Sequence, residues 1–266
     1  AEEHGVPQAR HRMFILGIRT DCDVKPAQLA QQEAPGVKQT IGHLPKIRST
    51  LSKDRDSADR WLDTIAGIEM AEERVADEPK EVRNVWKQIR TTLNRSMEWP
   101  ELTTSNSYRK GPRSNYRALR YMQDDRLTTL TGHEARGHMA SDLHRYFFAA
   151  NFADVVERSP RLSDFPELLL PRHRNVTEGR KGKMFSDRFR VQLAGSVSTT
   201  ITSHISKDGH YFIHYDPLQC RSLTVREAAR LQTFPDNYKF EGPRTEQYHQ
   251  VGNAIPPYLA SQIAAI

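Results

Sequence analysis

Cysteine is scarce in this sequence of 266 residues: only Cys22 and Cys220 occur, and they lie far apart. Their number and spacing argue against a disulfide framework and against a cysteine-based zinc site, and they fit a reducing cytoplasm. Long hydrophobic runs are missing as well, since none approaches the ~18 residues of a membrane span. No signal peptide is present, and the first residue is Ala1 rather than Met, which leaves open whether further residues precede it.

Acidic residues are in the minority, with 33 Asp and Glu against 39 Lys and Arg and a net charge of +6. The basic excess is concentrated at residues 109–120 and 171–190, where glycine and aromatic residues interrupt it. Such loops suit contacts with DNA phosphates, although a solvated loop without a partner is the alternative for either one alone. The predicted DNA contacts are Arg109, Lys110, Arg113, Arg117, Arg180, Lys181, Lys183 and Arg188.

Two histidines, His133 and His138, raise the question of a metal site. A zinc-binding helix of the His-Glu-x-x-His type needs histidines four residues apart on one face, whereas these are five apart and Gly137 weakens a helix. The sequence therefore predicts no metal site. We expect both histidines to lie on a loop or on a surface that faces DNA.

The spacing of apolar residues predicts several helices and a few strands. Helices are predicted at six places: a short one ending at Pro45, and residues 58–76, 81–93, 141–156 (with Ser141 as N-cap), 224–233 and 257–266. Alternation typical of strands marks residues 188–193, 199–204 and 210–214. The apolar run at 13–18, with Arg10 and Arg12 at its start, is long enough for one buried strand.

Two stretches near the C-terminus carry capping and turn signals. In RSLTVREAARLQTFPDNYKF, Thr224 and Glu227 have the spacing of a capping box at the start of a helix. In QVGNAIPPYLASQIA, Gly252 and Asn253 predict a turn whose exposed backbone amides suit a small anionic or zwitterionic ligand. Each signal taken alone is common in proteins.

Taken in order, three motifs resemble the C-terminal part of DNA (cytosine-5) methyltransferases. They are Gly-Val-Pro-Gln-x-Arg-x-Arg at 5–12, Arg-x-x-Thr-x-Arg-Glu-x-x-Arg-Leu-Gln-x-Phe-Pro-Asp at 221–236, and Gly-Asn-Ala-x-Pro-Pro at 252–257. They correspond to the eighth, ninth and tenth conserved blocks of that family. The rest of the chain resembles the family only by position, as the variable target-recognition region between the eighth and tenth blocks.

The resemblance implies an α/β fold, namely the C-terminal part of an AdoMet-dependent Rossmann-like methyltransferase domain with a mixed α+β target-recognition domain inserted. Residues 1–24 would supply a strand of the catalytic domain, residues 25–215 the target-recognition domain, and residues 216–266 the return to the catalytic domain. The strand at 13–18 would then belong to a parallel sheet that lies mostly outside this sequence.

Three further motifs of that family do not occur in this sequence. They are the Phe-x-Gly-x-Gly loop that holds AdoMet, the Pro-Cys that carries the nucleophile, and the Glu-Asn-Val that carries the acid; all precede the eighth block. Neither Cys22 nor Cys220 follows a proline, so neither is predicted to be the nucleophile. We therefore expect this chain alone to be inactive, and an N-terminal portion or subunit to complete the enzyme and its AdoMet site.

The resemblance also implies roles for individual residues. In the family a target cytosine flips out of duplex DNA, a thiolate attacks its C6, and C5 then takes the methyl group of S-adenosyl-L-methionine. Arg12 is expected to contact the cytosine O2, while Arg10 and Gln8 order the pocket wall and the phosphate side. An arginine pair that only forms ion pairs at a strand edge is the alternative.

Other residues match the family's binding and bracing positions. Asn253, Ala254 and Ile255 resemble an edge of the AdoMet site, and Thr200 is expected near a phosphate. A further set resembles residues that brace the recognition domain, namely Arg226, Glu227 and Arg230.

The expected function is that of the target-recognition part of a DNA (cytosine-5-)-methyltransferase in a restriction-modification system. Its expected partners are double-stranded DNA and the N-terminal portion, without a membrane, in the bacterial cytoplasm and near the nucleoid. The alternative is a non-enzymatic DNA-binding module that kept the recognition domain. An unrelated DNA-binding or hydrolytic protein fits the three ordered motifs poorly.

Overall fold

Helices provide most of the regular structure in the computed structural model, which describes residues 1–23, 25–53, 55–68, 79–95, 98–171 and 186–266. The α-helices are α1 (Val37–Ile41), α2 (Ala58–Ala66), α3 (Lys80–Leu93), α4 (Arg117–Met122), α5 (Ala140–Val156), α6 (Val225–Leu231), α7 (Arg244–Asn253) and α8 (Pro257–Ala264). Short 3-10 helices lie at Leu162–Asp164, Glu167–Leu169 and Ser203–Ser206. Among the described helices, none has the length and apolar character needed to cross a bilayer.

The described strands are short and pair segments that are far apart in the chain. Strand β1 (Gln8–Ala9) runs parallel to β4 (Ser198–Thr199), with Gln8 opposite Ser198. Strand β2 (Thr50–Leu51) runs parallel to β3 (Gly137–His138). The first pairing holds the N-terminal motif against the loop that follows residue 197.

One hydrophobic core lies between α2, α3 and α5. The predicted stripe of α3 is confirmed, because its apolar residues recur every three or four positions and share one buried face. Helix α5 is buried around most of its circumference and fills the space between its neighbours with aromatic side chains, namely Tyr146, Phe147, Phe148 and Phe152.

A second hydrophobic core joins α1, α6 and α7 to loops from the middle of the chain. It contains Ile41 of α1, Ile201 and Phe212 of the loops, Leu231 of α6 and Val251 of α7. This core therefore draws the segment at 198–212 towards both C-terminal motifs.

Helix α6 is built on buried charges. The Thr224 hydroxyl accepts the Glu227 N–H at 3.2 Å and the Glu227 carboxylate accepts the Thr224 N–H at 2.8 Å, which confirms the predicted capping box. The same carboxylate accepts two hydrogen bonds from Arg221, each of 2.7 Å. Arg230 forms a second pair with Asp236, in which Nε lies 2.8 Å from Oδ1. The four side chains of these two ion pairs are at most 1% exposed.

A third buried arginine, Arg226 of α6, is bound by backbone carbonyl groups. Its guanidinium donates to the Thr131 oxygen at 2.9 Å and to the Tyr238 oxygen at 2.7 Å. These contacts hold the loops on both sides of α6 against it.

The apolar run at 13–18 is exposed, so the prediction of a buried strand is wrong for the chain by itself. Met13 is 86% exposed and Ile15 is 89% exposed, and residues 10–19 form no strand. A strand is buried only where it pairs with neighbouring strands and other elements cover the faces of the sheet. No strand of the described residues pairs with this run.

The strands predicted between 188 and 214 are mostly wrong. Only β4 forms, together with isolated bridges that join Ile213 to Val191 and to Ser222. Part of the range 199–204 belongs to the 3-10 helix that begins at Ser203. Alternating apolar residues are buried here by loops that pack against the cores, which gives the same pattern without a continuous ladder.

Some helix ends differ from the predictions, and two helices were not predicted. Helix α5 begins after Met139, and Ser141 is not its cap. Helix α1 ends at Ile41, and α2 ends at Ala66, while residues 69–76 of the predicted helix lie outside the described residues. Helices α4 and α7 have too few regularly spaced apolar residues for their sequences to indicate a helix.

Replacing Glu227 by Gln should destabilise the fold by about 3 kcal/mol, because Arg221 then stays buried without a counter-charge. The loss should depend on pH. Burial alone raises the pKa of the Glu227 carboxyl, but the Arg221 guanidinium outweighs it and holds that pKa well below its usual 4.5. A depressed pKa means that the stabilisation is present above about pH 4.5 and is lost as the pH falls below it.

Urea unfolding of the wild type and Glu227→Gln between pH 7 and pH 3 measures both effects. The difference in unfolding free energy between the two proteins should shrink as the pH falls. A difference that is absent at pH 7, or that grows towards pH 3, would contradict the assignment of this ion pair.

Candidate functional site

The N-terminal motif is held in place by the side chains of Gln8 and Arg10. Gln8 Oε1 accepts the Ile201 N–H at 2.9 Å, and Arg10 Nη1 donates to the Ile201 carbonyl oxygen at 2.8 Å. Residues two apart in extended backbone point to the same side, so both side chains reach the same neighbour. Together they bind both polar groups of the Ile201 backbone.

Arg10 is only 7% exposed, and its remaining contacts are also internal. Its Nη2 donates to the Gly252 carbonyl oxygen at 3.3 Å, while its buried Nε has no partner among the described residues. Burial, together with the nearby charge of Arg12, lowers the pKa of Arg10. The geometry is that of a buried residue that joins two backbone segments, and the roles of Arg10 in a pocket wall and on the phosphate side stay predictions.

Arg12 differs from Arg10 because it is exposed. Its only hydrogen bond among the described residues is a 2.7 Å contact from Nη1 to the His11 carbonyl oxygen. No carboxylate of the described residues pairs with it, so the guanidinium is available to a ligand. The alternative of a strand-edge ion pair therefore lacks a partner in this part of the chain.

The segment that follows α7 is joined to the N-terminal motif through Gln232. Gln8 Nε2 donates to the side-chain oxygen of Gln232 at 2.5 Å, and Gln232 Nε2 donates to the Ala254 carbonyl oxygen, also at 2.5 Å. Asn253 is exposed, and the Ile255 side chain is 54% exposed. The three predicted cofactor residues thus lie together at one edge of the cluster.

The predicted Gly-Asn turn is wrong, because Gly252 and Asn253 form the last two residues of α7. The Ala254 N–H is bonded to the Val251 carbonyl oxygen at 3.3 Å, so it does not present a free amide to a ligand. What glycine provides at position 252 is close packing. A Cβ there would lie 2.3 Å from the Ser203 nitrogen and 2.4 Å from the Thr202 carbonyl carbon.

A cleft of about 550 Å³ opens beside β1 and β4. Thr200 lies in its wall and donates its hydroxyl to the Ala9 carbonyl oxygen at 2.6 Å. Arg190, also in the wall, forms an ion pair with Asp187. The cleft is otherwise lined by Thr199, Thr202, His204, Tyr211 and Phe212. Hydroxyl and guanidinium groups of this kind are common donors to the phosphate and sugar oxygens of DNA.

The basic residues predicted to bind DNA are partly described. Arg109, Arg113 and Arg117 are exposed, and Lys110 pairs with Asp125 at 2.6 Å. Helix α4 begins at Arg117, and its Tyr121 packs against Tyr258 of α8 with ring centroids 5.3 Å apart. Arg188 is partly buried next to the cleft residue Asp187, whereas Arg180, Lys181 and Lys183 lie outside the described residues.

His133 and His138 are buried, contrary to the expectation of a loop surface or a surface facing DNA. His133 contacts the Pro45 carbonyl oxygen at 2.8 Å and the Thr224 hydroxyl at 3.1 Å, and burial lowers its pKa. His138 packs edge-on against Tyr146. Among the described residues, no group of three or more His, Cys, Asp or Glu could hold a metal ion.

Cys220 does not have the surroundings of a nucleophile. Cys220 is buried, its thiol donates to the Leu143 carbonyl oxygen at 3.2 Å, and burial raises the pKa of the thiol. A reactive cysteine needs a lowered pKa, because the thiolate is the attacking species. Cys22 is exposed and lies in the segment that follows the apolar run.

Comparison with known proteins gives a family match over almost the whole chain. The model of the C-5 cytosine-specific DNA methylase family matches residues 1–265.

Type II methyltransferase M.Bpa9945I of Bacillus paralicheniformis is 49% identical over 54% of this chain and 30% of its own length. Type II methyltransferase M.AgeI of Thalassovita gelatinovora is 25% identical over 98% of this chain and 62% of its own length. DNA (cytosine-5-)-methyltransferase M.ApeKI of Aeropyrum pernix is 28% identical over 98% of this chain and 56% of its own length. The chain thus spans less than two thirds of each of these relatives.

Replacing Gly252 by Ala should destabilise the chain by about 1–3 kcal/mol, because the new methyl group meets backbone atoms that cannot move aside like a flexible side chain. Gly195→Ala is the matched control, since a Cβ at position 195 has no atom within 4 Å. Thermal unfolding should show a lower Tm for Gly252→Ala and little change for Gly195→Ala. Equal Tm values for both variants would contradict the close packing of α7 on the Thr202–Ser203 backbone.

Proposed function

Since the chain belongs to the family of C-5 cytosine-specific DNA methylases, we propose that it is the target-recognition and C-terminal portion of a DNA (cytosine-5-)-methyltransferase. The complete enzyme transfers a methyl group from S-adenosyl-L-methionine to C5 of cytosine in a specific sequence of double-stranded DNA. The observation that carries the proposal is that Gln8, Ile201, Gln232 and Ala254, which come from all three motifs and from the loop between them, meet in one hydrogen-bonded cluster.

The domain organisation that we propose follows the motifs. Residues 1–24 and 216–266 belong to the catalytic domain, and residues 25–215 form the inserted target-recognition domain. The exposed apolar run at 13–18 supports this division, because an unpaired apolar segment can add a strand to a sheet supplied by another part of the enzyme. The same part supplies the thiolate, which these 266 residues lack in a Pro-Cys motif.

The chain's own residues fit one edge of an AdoMet site. Asn253 offers an exposed amide and Ile255 an exposed apolar side chain, and the backbone between them is fixed through the Ala254 carbonyl oxygen. AdoMet, when bound, supplies an activated methyl group to the cytosine. Asn253 and Ile255 would orient it, and residues of the N-terminal portion would enclose the rest.

Arg12 is the residue of this chain that acts on the reacting base. When a thiolate adds to C6 of the flipped cytosine, negative charge develops on O2 and on the ring, and the exposed guanidinium of Arg12 donates to that oxygen. C5 then takes the methyl group, loses its proton to a base of the enzyme, and the thiolate leaves C6. Buried Arg10 keeps the backbone under Arg12 in place.

DNA is bound by the exposed basic residues and by the cleft. Arg109, Arg113 and Arg117 lie on one segment and would contact phosphates, with Lys110 next to them once it leaves Asp125. Thr200 in the cleft wall would contact a phosphate near the target, with Arg188 beside it. The complete enzyme would act on DNA in the bacterial cytoplasm as part of a restriction-modification system.

The proposal is tested by transfer of labelled methyl from AdoMet to mixed-sequence duplex DNA. The chain alone should give no transfer, and adding the N-terminal portion of the methyltransferase should produce it. Transfer by the pure chain that is abolished by changing Cys22 or Cys220 would contradict the division of labour. DNA binding without transfer in the reconstituted mixture would favour a non-enzymatic module.

Arg12→Ala in the reconstituted enzyme should reduce the single-turnover rate at saturating DNA about a hundredfold, with little effect on duplex binding. The reason is that charge on O2 develops only after attack at C6. Arg12→Lys should recover part of the rate, because an ammonium group lacks the planar fork of donors.

Single-turnover kinetics at saturating DNA, with binding titrations at two salt concentrations, separates this role from a phosphate contact. A phosphate contact would lower affinity in a salt-dependent way and leave the rate intact. That result would show that Arg12 does not act on the base.

Replacing Arg109, Arg113 and Arg117 together by Gln should weaken DNA binding for all sequences alike. The slope of log K against log salt should become shallower by up to ~0.9 for each phosphate that the variant no longer neutralises. A variant in which exposed Lys53, Arg60 and Lys87 are replaced by Gln removes the same amount of charge and is the control. If the control lowers the slope as much, the effect belongs to net charge and not to this segment.

A further inference from the structure

Gln8 and Gln232 form a continuous hydrogen-bonded chain between two backbone groups. It runs from the Ile201 N–H to Gln8 Oε1, from Gln8 Nε2 to Gln232 Oε1, and from Gln232 Nε2 to the Ala254 carbonyl oxygen. Gln8 Nε2 also donates to the Leu231 carbonyl oxygen at 3.2 Å, at the C-terminal end of α6. Both glutamine side chains are fully buried.

The orientation of both amide groups is determined by the ends of this chain. Ile201 presents an N–H, which only a side-chain oxygen can accept, and Ala254 presents a carbonyl oxygen, which only a side-chain NH₂ can approach. Each glutamine therefore has one possible orientation. The side chain at position 232 must offer one acceptor and one donor. A residue that lacks either interrupts this series of hydrogen bonds and leaves a buried polar group of Gln8 or Ala254 unpaired.

The three segments joined by this chain have different tasks in the proposed enzyme. Ile201 lies between Thr200 and Thr202 of the cleft wall, Gln8 precedes the arginines at 10 and 12, and Ala254 lies between the predicted cofactor residues. Arg10 adds a second connection between the same segments, from the Ile201 carbonyl oxygen to that of Gly252. Gln232, at the end of α6, is the point where the cofactor edge is attached.

We infer that Gln232 is a positioning residue that holds the Asn253–Ile255 edge in register with the arginine segment and the Thr200–Thr202 wall of the cleft. This inference rests on the proposed function for the identity of the ligands. Its geometric part depends only on the hydrogen bonds among Ile201, Gln8, Gln232 and Ala254. Gln232 touches neither ligand. It acts by holding the edge that would contact the methyl donor against the N-terminal motif, so its loss weakens binding of the donor more than it slows the chemical step.

Amide hydrogen exchange of the chain itself, followed at single residues, tests the geometric part with Gln232→Met, which is unbranched and similar in length. Exchange should become about tenfold faster at Ile201 and at Ala254 together, although these residues are 53 positions apart, while Phe148 in the other core keeps its rate. Unchanged exchange at either end would overturn the inference, and so would equal acceleration at all three residues.

Kinetics of the reconstituted enzyme tests the functional part. Gln232→Met should raise KM for AdoMet about tenfold, with kcat within a factor of about three of the wild type. The control is Asn151→Leu, which removes an equally buried amide that bridges the Phe147 carbonyl oxygen and the Thr92 hydroxyl in the other core. It should lower Tm and leave KM for AdoMet unchanged.

These experiments distinguish failure of the proposed function from failure of the positioning role of Gln232. Absence of methyl transfer by the wild-type mixture would count against the proposed function, and the exchange result would still decide the geometric part. An active wild type whose Gln232→Met variant has an unchanged KM for AdoMet, or the same KM as Asn151→Leu, would overturn the positioning role.

Discussion

The buried ion pair between Arg221 and Glu227 is the interaction on which the rest of the structure depends. Removing two charges from water is costly, and the cost is offset here because both carboxylate oxygens accept from the guanidinium and one also caps the helix through Thr224. The pair thereby fixes where α6 begins and in which direction it runs. The last residues of α6 then lie at a defined distance from the N-terminal motif, and Gln232 can reach both Gln8 and Ala254.

A short helix with buried arginines is an unusual way to build a core, and its geometry explains why the site can be made from distant segments. Arginine side chains reach loops that an aliphatic core residue would not: Arg226 reaches Thr131 and Tyr238, and Arg230 reaches Asp236. Each such contact is directional, so it determines the position of a loop backbone and not only its burial. Arginines outside α6 hold the loop at the cleft in the same way: Arg10 donates to the Ile201 carbonyl oxygen, and Arg136 donates to those of Ile205 and Lys207.

Sequence predicts the elements whose signals are local. The capping box of α6 and the stripe of α3 depend on residues three or four apart, and both are confirmed. The run at 13–18 is exposed instead of buried, because an apolar pattern states only that a segment needs a partner and not where that partner is. His133 and His138 are buried, although their polarity predicts exposure. His133 is buried because the Pro45 carbonyl oxygen and the Thr224 hydroxyl, both from distant segments, form hydrogen bonds with its ring.

The sequence predicts which residues form the site but not which hydrogen bonds join them. The motifs contain Gln8, Arg10 and the residues after Gly252, whereas the contact between Gln8 and Gln232 joins residues 224 positions apart and has no local signature. The polar sequence around Gly252 is typical of a turn, but Gly252 lies in α7. A glycine is needed there because the helix packs closely against the Thr202–Ser203 backbone.

The most direct test of the central claim is the identity of the modified base. Duplex DNA treated with the reconstituted protein and AdoMet is digested to nucleosides and analysed by mass spectrometry. The account predicts 5-methyl-2′-deoxycytidine as the only new nucleoside. A methyl group on an exocyclic nitrogen of cytosine or adenine, formed by the folded and DNA-bound protein, would contradict it.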